Sequence, residues 1–147
     1  SMGKFSNLTQ LFLRLALGIG YLVPGFDRLG VWGKYGERNV TWGDWQHFIK
    51  YAGQVMSFLP SSLMNVFAVM ATIAEIGFAV LLLLGRWTRI AALGSGILTL
   101  FFALSMAISF GIVSPLSYSV FTASAASFLL ATLPACKWSL DNVFLSK

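Results

Sequence analysis

A single acidic residue, Glu75, lies in the middle of the apolar run that covers residues 63–84. The run is long enough to cross a bilayer as a helix. Between Asp44 and Asp141 the chain has no other acid. A carboxyl group at membrane depth is costly, so it faces a protein interior or a cavity and has a partner. The fold must therefore provide Glu75 with a partner inside a bundle of helices.

The composition is that of a membrane protein. Of the 147 residues, 57% are hydrophobic and 10% are charged, whereas about 25% are charged in a typical soluble domain. The mean hydropathy is +0.78, and a soluble chain this small could not bury so much apolar surface. The net charge of +5 comes mostly from basic residues at the ends of apolar runs. Their expected role is membrane anchoring and not nucleic-acid binding.

Four apolar segments have the length of about 20 residues that a spanning helix needs. They cover residues 8–29, 63–84, 90–112 and 115–133. None alternates polar and apolar residues as a strand of a membrane β-barrel does. We therefore predict an all-α, four-transmembrane-helix bundle that forms a single domain over residues 3–147. We interpret Ser1 and Met2 as an expression scar.

The connection between the first two spans, about thirty residues, is too long for a simple link. Its second half repeats apolar residues at helical spacing, among them Trp45, Phe48, Ala52 and Val55. We predict an amphipathic helix over residues 42–58 that lies on or dips into the membrane face.

The distribution of lysine and arginine predicts the orientation of the spans. The side that holds both chain ends carries Lys4, Arg86, Arg89, Lys137 and Lys147. The opposite side carries Arg28, Lys34, Arg38 and Lys50. We expect both termini to be cytoplasmic and the long connection to lie outside.

One face of the first span carries, at helical spacing, Arg14, Gly18, Tyr21, Gly25 and Arg28. The two glycines allow close approach of another helix or of a flat ligand. Glu75 lies about 13 Å inside the end of the second span, at about 1.5 Å per residue. Arg14 reaches a comparable depth from the same side. We predict that Arg14 and Glu75 face each other.

Two interpretations of these charges stay open. In the first, Arg14 and Glu75 form a polar site that binds a carbonyl or hydroxyl headgroup or moves a proton, with Tyr21 as a third donor. Arg28 and the aromatic residues of the long connection then line the outer entrance of this site. In the second, the ion pair only fixes the register of two helices.

The link between the second and third spans also has a distinct pattern. Gly85 suits the left-handed residue that ends a helix, and Thr88 is positioned to cap the next helix. Asp141 could pair with Arg86 or Arg89 and tie the C-terminal tail to this turn. The alternative is a membrane-interface anchor that includes Trp87 and Trp138.

Other cofactor sites have no support in the sequence. The single cysteine, Cys136, cannot form an internal disulfide, and the single histidine, His47, lacks further ligands at metal-binding spacing. No haem-attachment motif or nucleotide-binding glycine pattern is present.

Three motifs resemble the DoxX family of small four-helix membrane proteins. The first consists of Arg14, Leu15 and Gly18 followed by Gly25, Arg28 and Leu29. The second consists of Glu75 and Gly77 followed by Gly85, Arg86, Trp87, Thr88 and Arg89. The third consists of Trp138, Ser139, Leu140 and Asp141.

The resemblance implies a multi-pass protein of the bacterial inner membrane that is associated with redox chemistry. Members of the family are named for subunits of a thiosulfate:quinone oxidoreductase or a terminal oxidase, and others are linked to thiol-stress complexes. We therefore expect a small subunit that binds a quinone-like or lipidic ligand and supports a soluble or membrane oxidoreductase partner. Since no protein-borne redox centre is apparent, a quinone or the partner must carry the electrons.

Two alternatives to this function remain. The protein could be a non-catalytic scaffold that recruits or stabilises a partner enzyme, or a small transporter or proton path. The sequence leaves open whether it is an enzyme, which ligand and partner it has, and whether it forms a homo-oligomer.

Overall fold

Seven helices build the part of the chain that the structure, a computed structural model, describes, which is residues 3–147. They are α1 (Lys4–Asp27), α2 (Trp45–Val55), α3 (Ser61–Leu84), α4 (Thr88–Phe110), α5 (Val113–Ser117), α6 (Val120–Thr132) and α7 (Leu140–Leu145). These residues contain no strand, which confirms the predicted all-α class. The proposed expression scar, Ser1 and Met2, lies outside the described residues.

Three of the helices, α1, α3 and α4, are long and apolar enough to cross a membrane. The fourth apolar segment, residues 115–133, is not one continuous helix as predicted. It is divided into α5 and α6 at Ser119, whose φ of 56° is left-handed. With 13 residues, α6 is shorter than the about 20 that span a bilayer alone. A fourth crossing, which would need α5 and α6 together, stays a prediction.

Glycine contacts set the register between α1 and α3. A Cβ at Gly18 would lie 2.9 Å from the Leu83 side chain and 3.3 Å from the Ala79 carbonyl oxygen. A Cβ at Gly25 would lie 2.7 Å from the Ile76 side chain. The two helices therefore run antiparallel in close contact along the glycine face of α1. In this register α1 ends about halfway along α3.

Helix α2 replaces α1 beside the N-terminal half of α3, and the buried apolar residues accordingly form two clusters. The first cluster joins α1, α3, α4 and α6 and contains Leu17, Tyr21, Ala79, Leu82, Ala91, Ala92, Leu130 and Ala131. The second cluster joins α2, α3 and α4 and contains Phe48, Ala52, Val55, Met56, Met64, Ala68 and Met106. The predicted helix 42–58 is thus present but shorter, and it packs against α3 and α4. Its position relative to a membrane stays a prediction.

The carboxylate of Asp27 folds the long connection back onto the end of α1. Its Oδ2 accepts hydrogen bonds from the backbone N–H of Thr41 at 2.9 Å and of Trp42 at 3.1 Å. Its Oδ1 accepts one from the N–H of Gly43 at 3.3 Å. Asp44 then caps α2 by accepting a hydrogen bond from the His47 N–H at 2.8 Å. These contacts place the start of α2 next to the last turn of α1, so that α2 packs against α3 and α4.

We expect Gly18→Val to lower the thermal stability of the protein in detergent, because the added methyl groups push α1 away from α3. Overpacking of this kind costs about 1–3 kcal/mol. The matched control is Gly20→Val in the same helix, where a Cβ meets no heavy atom within 4 Å. Thermal unfolding of both variants measures the difference. Equal changes in midpoint would show that α1 does not pack on α3 through Gly18.

Candidate functional site

Glu75 pairs with Arg28, the residue that follows α1, so Arg28 is part of the buried pair and not only a residue of the entrance as predicted. Arg28 Nη2 lies 2.8 Å from Glu75 Oε2, and the two side chains are only 4% and 11% exposed. Arg28 Nη1 donates a hydrogen bond to Thr72 Oγ1 at 3.0 Å, one turn before Glu75 on α3. Arg28 Nε donates to the Pro24 carbonyl oxygen at 3.2 Å. The end of α1 is therefore joined to the middle of α3 by a buried ion pair.

The predicted pairing of Arg14 with Glu75 is wrong. Arg14 Nη1 donates hydrogen bonds to the carbonyl oxygens of Leu82 at 2.7 Å and Leu83 at 3.1 Å, at the end of α3. Carbonyl groups at a helix C-terminus lack intrahelical partners and carry partial negative charge, so they suit a buried arginine. The depth estimate failed because α1 begins at Lys4 and extends past the end of α3.

A cavity of about 190 Å³ lies between the first and second clusters. Three of the four predicted ligand-binding residues, Tyr21, Arg28 and Glu75, line it, and Arg14 does not. Its remaining walls come from the long connection, α2, α4 and α6. They include Trp42, Phe48, Tyr51, Ser95, Leu98, Thr99, Phe102 and Met106.

Glu75 has unused hydrogen-bonding capacity. Arg28 Nη2 lies at ion-pair distance from Glu75 Oε2, and no other group of residues 3–147 donates a hydrogen bond to this buried atom. An ionised carboxylate can accept about four hydrogen bonds. A carboxylate so placed, on the wall of a cavity, can receive a hydroxyl or N–H group from a ligand.

The other polar groups of the cavity differ in whether they are free to bond to a ligand. The hydroxyl of Tyr21 forms a hydrogen bond with Ser127 Oγ on α6, so it is directed at the protein and not at a ligand. A tyrosine hydroxyl is protonated at neutral pH even at its ordinary pKa of about 10, and burial, followed by the proximity of Tyr118, raises the pKa of Tyr51 further. The Arg28 guanidinium carbon lies 4.0 Å from the ring centre of Phe48 and 5.3 Å from that of Trp42. These two rings cover the cation with their π-faces.

Sequence reasoning missed the roles of Asp27, Thr72, Ser95 and Thr99. Thr72 shares the small-residue face of Glu75, which is a usable signal. Asp27 has no such signal, because the N–H groups that it binds lie 14 to 16 residues further along the chain.

Arg14 and Asp141 together form a clasp around the turn between α3 and α4. Asp141 Oδ1 accepts a hydrogen bond from the Trp87 N–H at 2.7 Å, and Oδ2 accepts one from the Thr88 N–H at 2.8 Å. The Asp141 N–H donates to the Gly85 carbonyl oxygen at 2.8 Å. Arg14 Nη2 donates to the Trp138 carbonyl oxygen at 2.7 Å, so one arginine binds both α3 and the tail.

The contacts of the clasp test the predictions made for Gly85, Thr88 and Asp141 at this turn. Gly85 has a φ of 69°, the predicted left-handed conformation, and a Cβ there would overlap Ser139 and Arg14. The prediction that Thr88 caps α4 is wrong, because Asp141 binds the first N–H groups of this helix instead. Arg86 lies 3.7 Å from Asp141 Oδ1, and Arg89 is exposed. Within residues 3–147, no three His, Cys, Asp or Glu side chains are grouped so that they could hold a metal ion.

Long apolar helices joined by one buried ion pair and by helix caps define a multi-pass α-helical membrane protein. A family model described as DoxX matches residues 9–108. The match covers more than half of the chain, which therefore belongs to the DoxX family. It includes Arg14, Arg28, Glu75 and the turn at Gly85, whereas Asp141 lies beyond it. Comparison with curated proteins and with solved structures gave no match.

The clasp predicts a pH-dependent tail. Burial alone raises the pKa of Asp141, but the hydrogen bonds from Thr88 and Trp87 and the charge of Arg86 outweigh it and leave this pKa lowered. A lowered folded pKa means that the stabilisation is complete above the ordinary value of about 3.9 and is lost as pH falls through the folded pKa. We expect hydrogen-exchange protection of peptides that contain Trp87 and Thr88 to decrease as pH falls from the ordinary carboxyl pKa through the lowered pKa of Asp141.

In Asp141→Asn the same peptides should be less protected at pH 7 and should respond less to acid. Asp44→Asn, which neutralises the carboxylate that caps α2 at the other end of the molecule, is the control and should leave them unchanged. Full protection in the Asp141 variant would contradict the clasp.

Proposed function

We propose that the protein binds the polar ring of a quinone or quinone-like lipid in the cavity beside Glu75 and supports a membrane oxidoreductase complex. The observation that carries the proposal is the Glu75 carboxylate. It is buried in an apolar helix, charge-compensated by Arg28, and left with acceptor capacity on a cavity wall. Intramembrane carboxylates in such places mark ligand or proton sites.

The size of the cavity favours a headgroup over a whole ligand. About 190 Å³ is close to the roughly 150 Å³ of an engineered cavity that binds benzene. A substituted ring fits, and a long apolar tail must lie elsewhere. A second cavity of about 400 Å³ runs between the outer faces of α3 and α4 and is almost wholly apolar. Leu98 and Phe102 line both cavities, so the tail would pass between them towards the lipid.

The polar residues of the cavity can bond to both forms of a quinone, the carbonyl oxygens of the oxidised form and the hydroxyl groups of the reduced form. A bound quinone supplies carbonyl oxygens that take up electrons and protons. Arg28 has five N–H donors and would hold one carbonyl oxygen. The hydroxyl of Tyr51 is a further donor on the same cavity. Glu75 would accept the hydrogen bond of a hydroxyl and could take its proton at the carboxylate oxygen. Trp42 and Phe48 would exclude water from the ring.

The partner and the location form part of the same proposal. We infer an oxidoreductase partner in or on the bacterial inner membrane, with both termini cytoplasmic. The ends of the chain meet at one end of the bundle, where Gln10 Nε2 donates a hydrogen bond to the Pro134 carbonyl oxygen at 2.6 Å. The excess of basic residues at this end supports its cytoplasmic placement.

The orientation has a direct test in cells. In a Cys136→Ser background, we expect a membrane-impermeant thiol reagent to label Arg38→Cys from outside and not Ser146→Cys. Both should be labelled after the membrane is permeabilised. Labelling of Ser146→Cys alone in intact cells would reverse the orientation.

Binding of a short-chain quinone to the purified protein, followed by calorimetry, tests the ligand. We expect Glu75→Gln to weaken binding by about tenfold, which corresponds to about 1.4 kcal/mol. Thr99→Phe keeps the ion pair but fills the cavity, so it should abolish binding. Glu37→Gln changes an exposed carboxylate and should bind as the unchanged protein does.

Thermal unfolding of the same variants separates the proposal from the purely structural interpretation of the ion pair, which the bond from Arg28 to Thr72 favours. If Glu75→Gln lowers stability while no variant alters quinone binding, the pair only holds α1 against α3. If the unchanged protein binds no quinone, the proposal is wrong.

A further inference from the structure

A third cavity, of about 440 Å³, lies at the end of the bundle where the termini meet. It shares no lining residue with the cavity beside Glu75. Its walls come from the start of α4, the end of α6, the segment after α6 and the helix α7. The apolar part of the wall includes Ile90, Leu130, Leu133, Phe144 and Leu145. The volume is within the range of about 300–1,000 Å³ that small-molecule sites occupy.

Two buried polar side chains on this cavity lack partners among the described residues. Gln10 is 3% exposed, and the hydrogen bond from its Nε2 to Pro134 leaves Oε1 without a donor. Thr88 is 8% exposed, and its Oγ1 forms no hydrogen bond. Leaving a buried polar group without a hydrogen bond is costly. A ligand with hydroxyl groups would satisfy both atoms.

The charge at the cavity favours an anion. Its lining includes Arg86 and Arg89 and one acid, Asp141. The Asp141 carboxylate already receives the Trp87 and Thr88 N–H groups. Arg89 is exposed and forms no ion pair with the described residues. A guanidinium in this situation binds phosphate well, through paired N–H donors.

We propose that this cavity binds an anionic glycerophospholipid whose headgroup carries hydroxyl groups. Arg89 and Arg86 hold the phosphate, Gln10 Oε1 and Thr88 Oγ1 bond to the headgroup hydroxyls, and the apolar wall covers the first part of the acyl chains. The wall distinguishes this ligand from free phosphate, which gains nothing from apolar contacts. Basic pockets at the cytoplasmic ends of membrane helices are a general form of lipid site.

Native mass spectrometry of the delipidated protein, titrated with phosphatidylglycerol, tests the site. We expect Arg89→Gln to weaken binding by about fivefold, the effect of one basic residue on an anionic lipid. Lys137→Gln removes the same charge from the same end of the molecule, at a position outside the cavity lining, and should change binding less than twofold. Equal losses in the two variants would overturn the proposal, since they would indicate attraction by net charge alone.

The hydroxyl contacts have their own readout. The unchanged protein should prefer phosphatidylglycerol to phosphatidic acid, which has no headgroup hydroxyl, and Gln10→Leu should remove this preference. Absence of the preference in the unchanged protein would overturn the assignment to Gln10 and Thr88. Inorganic phosphate at millimolar concentration should not displace the lipid, and displacement would identify a phosphate site instead.

Discussion

The ion pair between Arg28 and Glu75 is the constraint on which the architecture depends. A carboxylate in the middle of an apolar helix needs a cation at its own depth, and Arg28 provides it only if α1 ends there. The N-terminal half of α3 is then left without α1, and α2 covers it. Asp27, beside Arg28, fixes the connection that makes this possible. The cavity is the place where the two packing clusters meet around the pair.

At the end of the molecule where the chain termini meet, charged side chains bind the ends of helices. Arg14 binds the last carbonyl groups of α3, and Asp141 binds the first N–H groups of α4. Both residues come from distant parts of the chain, so the tail and α1 are held to the same turn. Gly85 permits this because its lack of a side chain leaves room for Arg14. The motifs at this end are therefore explained by helix capping. Glu75 and Arg28, in contrast, retain hydrogen-bonding capacity that the contacts within the fold do not use.

Hydropathy predicted the three long helices α1, α3 and α4 well, because an apolar run of sufficient length has few alternatives in a membrane. Gly85 was also predictable, since the end of a helix followed by a polar turn requires a left-handed residue. The partner of Glu75 was not, because depth counted along one helix does not reveal where its neighbour begins. Contacts at Gly18 set that offset. The break at Ser119 was missed as well, because serine gives no clear signal for a left-handed turn.

The central claim is that the space beside Arg28 and Glu75 receives a ligand ring. Its most direct test is photolabelling of the membrane-embedded protein with a photoreactive quinone, followed by peptide mapping of the adducts. The account predicts adducts on cavity residues from separate helices, Tyr51 of α2 and Thr99 of α4, that excess unlabelled quinone suppresses. Adducts confined to exposed outward-facing residues such as Ile73 and Ile108, with no labelling of the cavity, would contradict it.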